Sequence, residues 1–542
     1  MKTSTTAAHQ PAGVPTSSEV DVMLLLEGTF PYVSGGVSSW VNQIIRAFPD
    51  IRFGIVFLGS RPQDYGKMKY ELPSNVVHFE QHYLQGLETS TQVISSEGNA
   101  QAFERVSQLH QTLRENRNNS DPRLLTEAMS ALLAEDSGIS EQDFLHSRAA
   151  WDYITDKYRQ HCTDPSFTDY FWTVRIMHQP IWMLARVARS LPRAKAYHTV
   201  STGYAGFLGA VLKQLTGRPL ILSEHGLYTK ERKIDLFQMD WIRDNRDVFQ
   251  KNATEIGYFR ELWIRFFSSL GRMCYACADN ITGLYEDIRV QQIAAGAPAE
   301  RTRVIPNGID LKRFMPAREK RCAEPPPVLT LIGRVVQIKD IKTFIRAMRT
   351  VVNRIPDAKG WIAGPEDEDK DYANDCHELV KSLGLENNVE FLGFRKVEEV
   401  LVDTGLLILS SISEALPLVL LEGYAAGVPA VTTNVGSCKQ LIEGMAGEDA
   451  ALGPSGVVVG IADPEALANA AIELLTDRER YQAAVTAAIN RVETYYTQQI
   501  MFAAFREIYD GVLKRPSVEL PLSCPFAISA QSSLAEKASW PA

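Results

Sequence analysis

Short apolar runs alternate along this chain with longer amphipathic stretches, and glycine or proline stands at many of the joins. Val20 to Glu27 reads as a buried strand, followed by a glycine loop at 34–36 and a helix from about Ser38 to Ala47. A strand, a Gly-rich turn and a helix in that order open a doubly wound α/β domain. From roughly Glu71 to Arg193 the regular alternation is lost, and polar stretches such as Asn99–Arg117 and Pro122–Glu135 predict a helical insertion. Strands resume at Ala194–Thr199 and Pro219–Ser223, each followed by a glycine-containing turn. A second α/β region begins near Arg303, with strands predicted at Val328–Ile332, Gly360–Ala363, Val389–Phe391, Leu406–Leu409 and Ala430–Thr433. The Pro-rich Ala323–Pro327 lies just ahead of the first of these, and one long helix is expected from about Ala484 to Lys514. The expected organisation is a disordered N-terminus over 1–19, an N-terminal domain over 20–302 with its insertion at about 71–193, a C-terminal domain over 303–483, a helix over 484–515, and a disordered tail over 516–542. The tail is rich in Ser, Ala and Pro, a composition that cannot bury enough apolar surface to order itself.

At 542 residues the chain exceeds one ordinary core and suits two α/β domains with an insertion. A net charge of -9 argues against general affinity for nucleic acid or anionic lipid, so no nucleic-acid partner is expected. Met1–Gly13 lacks the apolar stretch of a secretory signal, and no later run is long and apolar enough to span a bilayer. The cytoplasm is therefore the expected compartment. The seven cysteines are odd in number and scattered, which a reducing compartment would keep as thiols. Cys274 and Cys277 form a C-x-x-C without a second pair at zinc spacing, and the surrounding text reads as a helix burying small residues.

Candidate chemistry concentrates in Ser413-Glu414-Ala-Leu-Pro417-Leu-Val-Leu-Leu-Glu422-Gly423. Pro417 suits the first turn of a helix, and Gly427 followed by Pro429 closes it. Glu414 then lies in the loop leading into the helix and Glu422 about a turn and a half inside. An anionic ligand at the helix N-terminus would have one carboxylate towards each of its ends. The simpler account is a pair of solvated glutamates favoured by the helix dipole. Upstream, the apolar strand Leu329–Ile332 ends at Gly333, and Arg334 and Lys339 precede a helix. A planar fork and a mobile ammonium are a combination suited to a diphosphate.

Together with Val304-Ile-Pro-Asn307-Gly308-Ile-Asp310, Phe391-Leu-Gly393-Phe394 and Ser34-Gly35-Gly36-Val37, these segments resemble the retaining glycosyltransferases of family 4. The resemblance implies the GT-B fold: two Rossmann-like doubly wound domains facing a cleft, here with the helical insertion in the N-terminal, acceptor-binding one. The C-terminal domain would bind the nucleotide sugar, and the last helix would return to the N-terminal domain. Within the family, Leu26–Trp40 and Ser223-Glu-His225-Gly-Leu-Tyr228-Thr-Lys-Glu-Arg232 are most similar to soluble enzymes of bacterial exopolysaccharide synthesis. That implies a hexosyltransferase acting with a UDP-sugar donor, UDP-glucose or a related UDP-hexose, on a growing polysaccharide acceptor. It also implies a membrane-embedded synthase as partner, with the enzyme cytoplasmic or peripheral at the inner membrane.

By the same resemblance Gly35, Gly36, Gly333, Arg334, Lys339, Phe394 and Glu422 bind the donor, while Glu414 and His225 are the catalytic candidates. Arg334 and Lys339 would hold the diphosphate, Glu422 the ribose hydroxyls, Glu414 the hydroxyls of the transferred sugar, and the loop at Phe394 the base. The family retains configuration by attack on the face the diphosphate leaves, which assigns Glu414 to positioning rather than to a covalent intermediate. His225 stands at the end of a strand in a Gly-flanked turn, where open α/β sheets bind ligands, although most histidines so placed are satisfied core residues.

Asp367-Glu-Asp369 has the form of a metal-binding D-x-D but belongs to an acidic run of the kind that usually forms a solvated loop. With Arg334 and Lys339 able to neutralise the leaving diphosphate, no metal and no other cofactor is expected. Where relatives often carry a glutamate this chain has Gln440, and no charged role is carried onto it. Other readings stay open: an epimerase acting on UDP-sugars, a phosphorylase needing pyridoxal phosphate, or a non-catalytic nucleotide-sugar-binding subunit of a membrane polysaccharide synthase.

Overall fold

The computed structural model describes residues 14–85, 96–115, 137, 139–239, 241–247, 256–322 and 324–514. The stretch Pro122–Glu135, expected as helix, and the tail after Pro516 lie outside the described residues. The chain forms two compact units. One holds the described residues up to Ile281, with Ala295–Arg301 and the end of the last helix from Asp510 on; the other holds Thr282–Ala294 and Thr302–Tyr509.

The first sheet contains β1 (Glu19–Glu27), β2 (Phe53–Gly59), β3 (Val76–Tyr83), β4 (Arg193–Thr199), β5 (Leu220–Glu224), β6 (Asn280–Gly283) and β7 (Thr302–Val304). Its order is β3-β2-β1-β4-β5-β6-β7. The pairings of β1 with β2 and β4, of β2 with β3 and of β4 with β5 are all parallel. β1 and β2 are almost entirely buried, as strands covered on both faces must be. A side chain at Gly54 would meet the Met23 sulfur at 2.7 Å, so the glycine lets β1 and β2 pack. β3 lies inside the stretch expected as helical insertion. Three of its polar residues bond to one another, with Glu80 accepting from His78 and His82 at 2.8 and 3.1 Å, and this hides the strand from a reading based on apolar runs. Helices Ala100–Glu115, Glu141–His146, Arg148–His161 and Phe167–Ser190 then follow before β4. Cys274 and Cys277 are buried in the helix Tyr258–Cys277, in line with the packing role read for them.

The second sheet contains β8 (Val328–Ile332), β9 (Lys359–Ala363), β10 (Val389–Gly393), β11 (Leu406–Leu409), β12 (Ala430–Thr433) and β13 (Gly456–Val459). Its order is β10-β9-β8-β11-β12-β13, parallel throughout. Its core includes Leu329, Leu331, Phe344, Met348, Leu406 and Val431, all buried. Both units thus have the Rossmann-like pattern of parallel strands joined by helices.

The stretch expected as one helix over 484–514 is two helices, Arg478–Tyr495 and Gln498–Leu513. At the break, Ile309 pairs with Thr497 as an isolated parallel bridge, with its N–H donating to Tyr496 O at 2.8 Å. A side chain at Gly308 would come within 2.4 Å of Thr497 O, so the Asn307-Gly308 turn works as a packing joint. Arg491, fully buried on the first of these helices, donates to Asp449 Oδ1 at 2.6 Å and to the carbonyls of Leu441, Ile442, Asp449 and Gly453. Removing the guanidinium would leave a buried carboxylate without its counter-charge. We expect Arg491→Met to cost about 3–5 kcal/mol, and Arg491→Met with Asp449→Leu to recover part of it, measured by denaturant unfolding.

Candidate active site

Loops that follow the strands of a parallel sheet emerge at one edge, and ligands bind where the strand order turns over. In the second sheet that place lies between β8 and β11. The loop after β8 is pinned to the loop after β11: Ile412 N donates to Ile338 O, and Ser410 Oγ to Lys339 O, both at 2.9 Å. Lys339 Nζ and Glu414 Oε1 meet at 2.5 Å, and Ser411 Oγ donates to the same oxygen at 2.7 Å. Asp340 holds Lys339 at the turn, taking a left-handed φ of 45° and capping the following helix through Thr343 N. Aspartate tolerates that conformation better than most residues do.

Glycines let the neighbouring loops close in. A side chain at Gly364 would stand 1.9 Å from Gly333 O, and one at Gly436, whose φ is +51°, would stand 2.2 Å from Glu414 O. The Lys339 stem crosses Gly333, 3.4 Å from where a Cβ would be. Loops after β8, β9, β11 and β12 therefore surround the ion pair.

The other residues singled out in the sequence have different surroundings. Arg334 is exposed and its Nη1 reaches both carboxylate oxygens of Glu368, at 2.5 and 2.7 Å. Glu422, in the helix Leu418–Ala425, has no hydrogen-bond partner among the described residues, and its charged neighbours are Arg313 and Glu398, themselves paired at 2.7 Å. Burial pushes the Glu422 carboxyl up to about 7, Glu398 adds to the rise, and Arg313 opposes it. Phe394, just beyond Gly393 at the end of β10, is 81% exposed. Lys339 and Glu414 are thus brought together, while Arg334 pairs with Glu368 and the Glu422 carboxylate stands beside the Arg313–Glu398 pair. Gln440 Nε2 donates to Tyr496 OH at 3.2 Å.

In the first unit His225 follows β5 and is buried against Trp40, ring centroids 4.7 Å apart, with its Nε2 unpartnered. Burial drops its pKa to about 4, so the ring is neutral at pH 7. Gly35 precedes the helix Gly36–Ala47, and side chains at Gly35 or Gly36 would meet nothing within 4 Å. At the turnover of this sheet, between β1 and β4, Glu27 accepts from Tyr228 OH at 3.0 Å and Ala205 N at 3.1 Å, and Arg232 lies 3.9 Å from it. Ser411, Arg313, Glu398 and Glu27 were not singled out from the sequence. Only Glu27, the last residue of a strand beside Gly28, carried a positional signal there.

Three acids of the D-x-D stretch have local partners. Asp369 caps the helix Lys370–Ser382 through Tyr372 N, Glu368 holds Arg334, and Glu366 meets His377 at 2.7 Å. Among the described residues no group of three or more His, Cys, Asp or Glu is placed to hold a metal ion.

Comparison with known proteins agrees with this architecture. Residues 20–300 match the family described as "Domain of unknown function (DUF3492)", and residues 317–491 match "Glycosyl transferases group 1". The first match spans more than half of the chain, which therefore belongs to the DUF3492 family and carries a group 1 glycosyltransferase domain behind it. N-acetyl-alpha-D-glucosaminyl L-malate synthase of Bacillus anthracis is 29% identical over 200 residues, 36% of this chain and 49% of that protein. The UDP-Gal:alpha-D-GlcNAc-diphosphoundecaprenol alpha-1,3-galactosyltransferase of Escherichia coli is 23% identical over 294 residues, 52% of this chain and 66% of that enzyme. The chain spans about half the length of the first curated relatives it matches. Among solved structures, Anabaena HepE in complex with UDP and glucose superposes with a TM-score of 0.55 at 16% identity, covering 91% of this chain and 99% of that one. Sucrose-phosphate synthase of Thermosynechococcus elongatus gives 0.53 at 17% identity, covering 91% and 99%. At such identities the likeness establishes the fold, which is GT-B in class.

Glu422 yields a test independent of any substrate. Its folded pKa of about 7 stands above the ordinary 4.5, so the stability it contributes is present below about pH 4.5 and is lost as pH rises through about 7. Glu422→Gln should remove that dependence and gain on the order of 1–3 kcal/mol relative to the parent chain at pH 8, read from unfolding curves at pH 5 and 8.

Proposed function

We propose that the chain is a retaining hexosyltransferase that moves a hexose from a UDP-sugar, UDP-glucose or a related UDP-hexose, to a growing exopolysaccharide. The particular enzyme it resembles is PelF, the soluble glycosyltransferase of Pel exopolysaccharide synthesis. The observation that carries this reading is the Lys339–Glu414 pair, set 2.5 Å apart where the strand order of the second sheet turns over. The group 1 match over 317–491 and the UDP and glucose held by the HepE structure support a nucleotide-sugar donor.

In this mechanism Arg334 and Lys339 take the diphosphate. The Arg334–Glu368 pair is exposed on both sides and contributes about 0–1 kcal/mol, so a diphosphate, with more charge and a better match to the fork, displaces Glu368. The donor's sugar hydroxyls replace part of the Lys339 contact to Glu414, leaving the carboxylate to orient the hexose. As the anomeric bond breaks, negative charge grows on the phosphate and positive charge on the sugar ring. Fixed cations at the phosphate and a carboxylate at the ring favour both changes. The acceptor hydroxyl attacks the face the diphosphate leaves, and its proton passes to a phosphate oxygen. Neutral His225 supplies a hydrogen bond to the sugar rather than a charge. Glu422, once ionised, accepts from the ribose hydroxyls, and the exposed ring of Phe394 covers the base. Gly35 and Gly36, with open space beside them, let backbone N–H groups at the start of the helix Gly36–Ala47 approach the ligand. The cations make a metal unnecessary. A membrane-embedded synthase on the cytoplasmic side would receive the product chain.

The deciding experiment incubates the full chain with a panel of UDP-sugars and acceptor oligosaccharides, with released UDP measured and the product's anomeric configuration read by NMR. Retained configuration with one UDP-hexose is the expected result; donor binding without release of UDP would favour a non-catalytic subunit, and interconversion of the sugar without acceptor an epimerase.

Arg334→Ala or Lys339→Ala should each lower turnover or donor affinity at least about tenfold in a folded protein. Activity should persist in excess chelator, and Asp367→Asn with Asp369→Asn should be nearly silent, since asparagine also caps a helix. An absolute need for manganese or magnesium, lost in that double variant, would reverse the metal assignment.

The two glutamates should separate by calorimetry: Glu422→Gln weakens UDP itself, whereas Glu414→Gln leaves UDP affinity intact and lowers sugar transfer, each by about 1–3 kcal/mol. UDP should also bind more tightly as pH rises through about 7, and Glu422→Gln should abolish that trend. Equal loss of UDP in both variants would refute the division of roles.

A further inference from the structure

Between the helices Arg148–His161, Phe167–Ser190 and Tyr258–Cys277 of the first unit lies a cavity of about 330 Å³, within the roughly 300–1,000 Å³ range of small-molecule sites. Phe144, Met177, Ile181, Trp182, Leu270 and Met273 form much of its wall, and all are buried. Its polar wall is turned in on itself. Val174 O can only accept, so His178 Nδ1 carries the proton of their 2.7 Å bond. His178 Nε2 then accepts from His110 Nε2 at 3.1 Å, and His110 Nδ1 accepts from Tyr153 OH at 2.8 Å. Burial lowers the His178 pKa, which favours the neutral ring that this bonding pattern requires. Charge is found elsewhere in the lining, on side chains that reach solvent: Lys157, His161, and Arg265, the last paired with Glu261. Lys157, Arg265 and Glu261 together sum to one positive charge.

A large apolar interior with a neutral, self-satisfied polar wall and cations confined to the solvent side fits a molecule whose polarity is all at one end. We propose that this cavity binds a single-chain amphiphile, with the apolar chain among Phe144, Trp182 and Met273 and an anionic headgroup at Lys157 and Arg265. Nothing in the proposed transfer reaction uses this cavity, so the site would serve as an anchor or an effector site within the DUF3492 region.

The probes are dodecyl phosphate below its micelle concentration, dodecan-1-ol and inorganic phosphate, each titrated calorimetrically into the full chain. Dodecyl phosphate should bind one to one, dodecan-1-ol more weakly, and inorganic phosphate not at all. Lys157→Glu with Arg265→Glu, both at solvent-reaching positions, should weaken dodecyl phosphate about tenfold and leave dodecan-1-ol unchanged. Met177→Trp, which fills the cavity, should abolish binding of both. Absence of binding by the parent chain overturns the proposal. So does binding that neither variant alters, or attachment to anionic phospholipid vesicles without binding of the monomeric probe. If Met177→Trp does not fold, the charge variant decides alone.

Discussion

Parallel strands send all their C-terminal loops to one edge, and in the second unit the chain lays strands outward from β8 in one direction and from β11 in the other. At that boundary two loops with no helix crossing between them lie side by side, and their backbones hydrogen-bond directly through Ile338 and Ile412. The remaining features of the candidate site depend on this. Lys339 and Glu414 are 75 residues apart in the chain and meet only because strand order makes their loops neighbours. Gly364 and Gly436 then let the loops after β9 and β12 approach to distances at which any Cβ would collide with a carbonyl.

The same geometry recurs in the first unit, where the order turns over between β1 and β4 and Glu27 gathers a phenol, a backbone amide and a guanidinium. Two sheets built alike thus place charged groups at equivalent positions. Their electrostatic settings differ. Glu414 has a cation and a hydroxyl on one oxygen, whereas Glu422, two turns further on, has only the Arg313–Glu398 pair nearby and is pushed towards neutrality. Burial therefore brings the ionisation of Glu422 close to physiological pH.

Two motifs that stand out in the sequence do structural work. Asn307-Gly308 docks against the break between the last two helices, where Gly308 leaves room for the Thr497 carbonyl. Asp369, half of a metal-like D-x-D, caps a helix. At Gly308 and Asp369 the contact with backbone accounts for the residue type.

The pattern of apolar residues by itself determined five of the six strands of the second sheet: Val328–Ile332, Leu406–Leu409 and Ala430–Thr433 were read with their observed bounds, because strands buried on both faces are nearly continuous apolar runs, whereas the partly exposed edge strand β13 was not read. Local chemistry likewise marked the helix after Pro417 and the turn at Gly333, since proline and glycine act through their own backbone. β3 escaped because its histidines and glutamate satisfy one another across a partly buried strand, and the final helix was read through its break because the bridge that interrupts it comes from Ile309, far away in the chain. Which candidate residues meet was decided only by tertiary structure. The sequence named Arg334, Lys339, Glu414 and Glu422 as one set, yet folding joins Lys339 to Glu414, gives Arg334 to Glu368 and leaves Glu422 beside Arg313. Residue type and spacing encode what a side chain is able to do, but its partners and its pKa depend on which distant loops the strand order makes adjacent and on how much water they exclude.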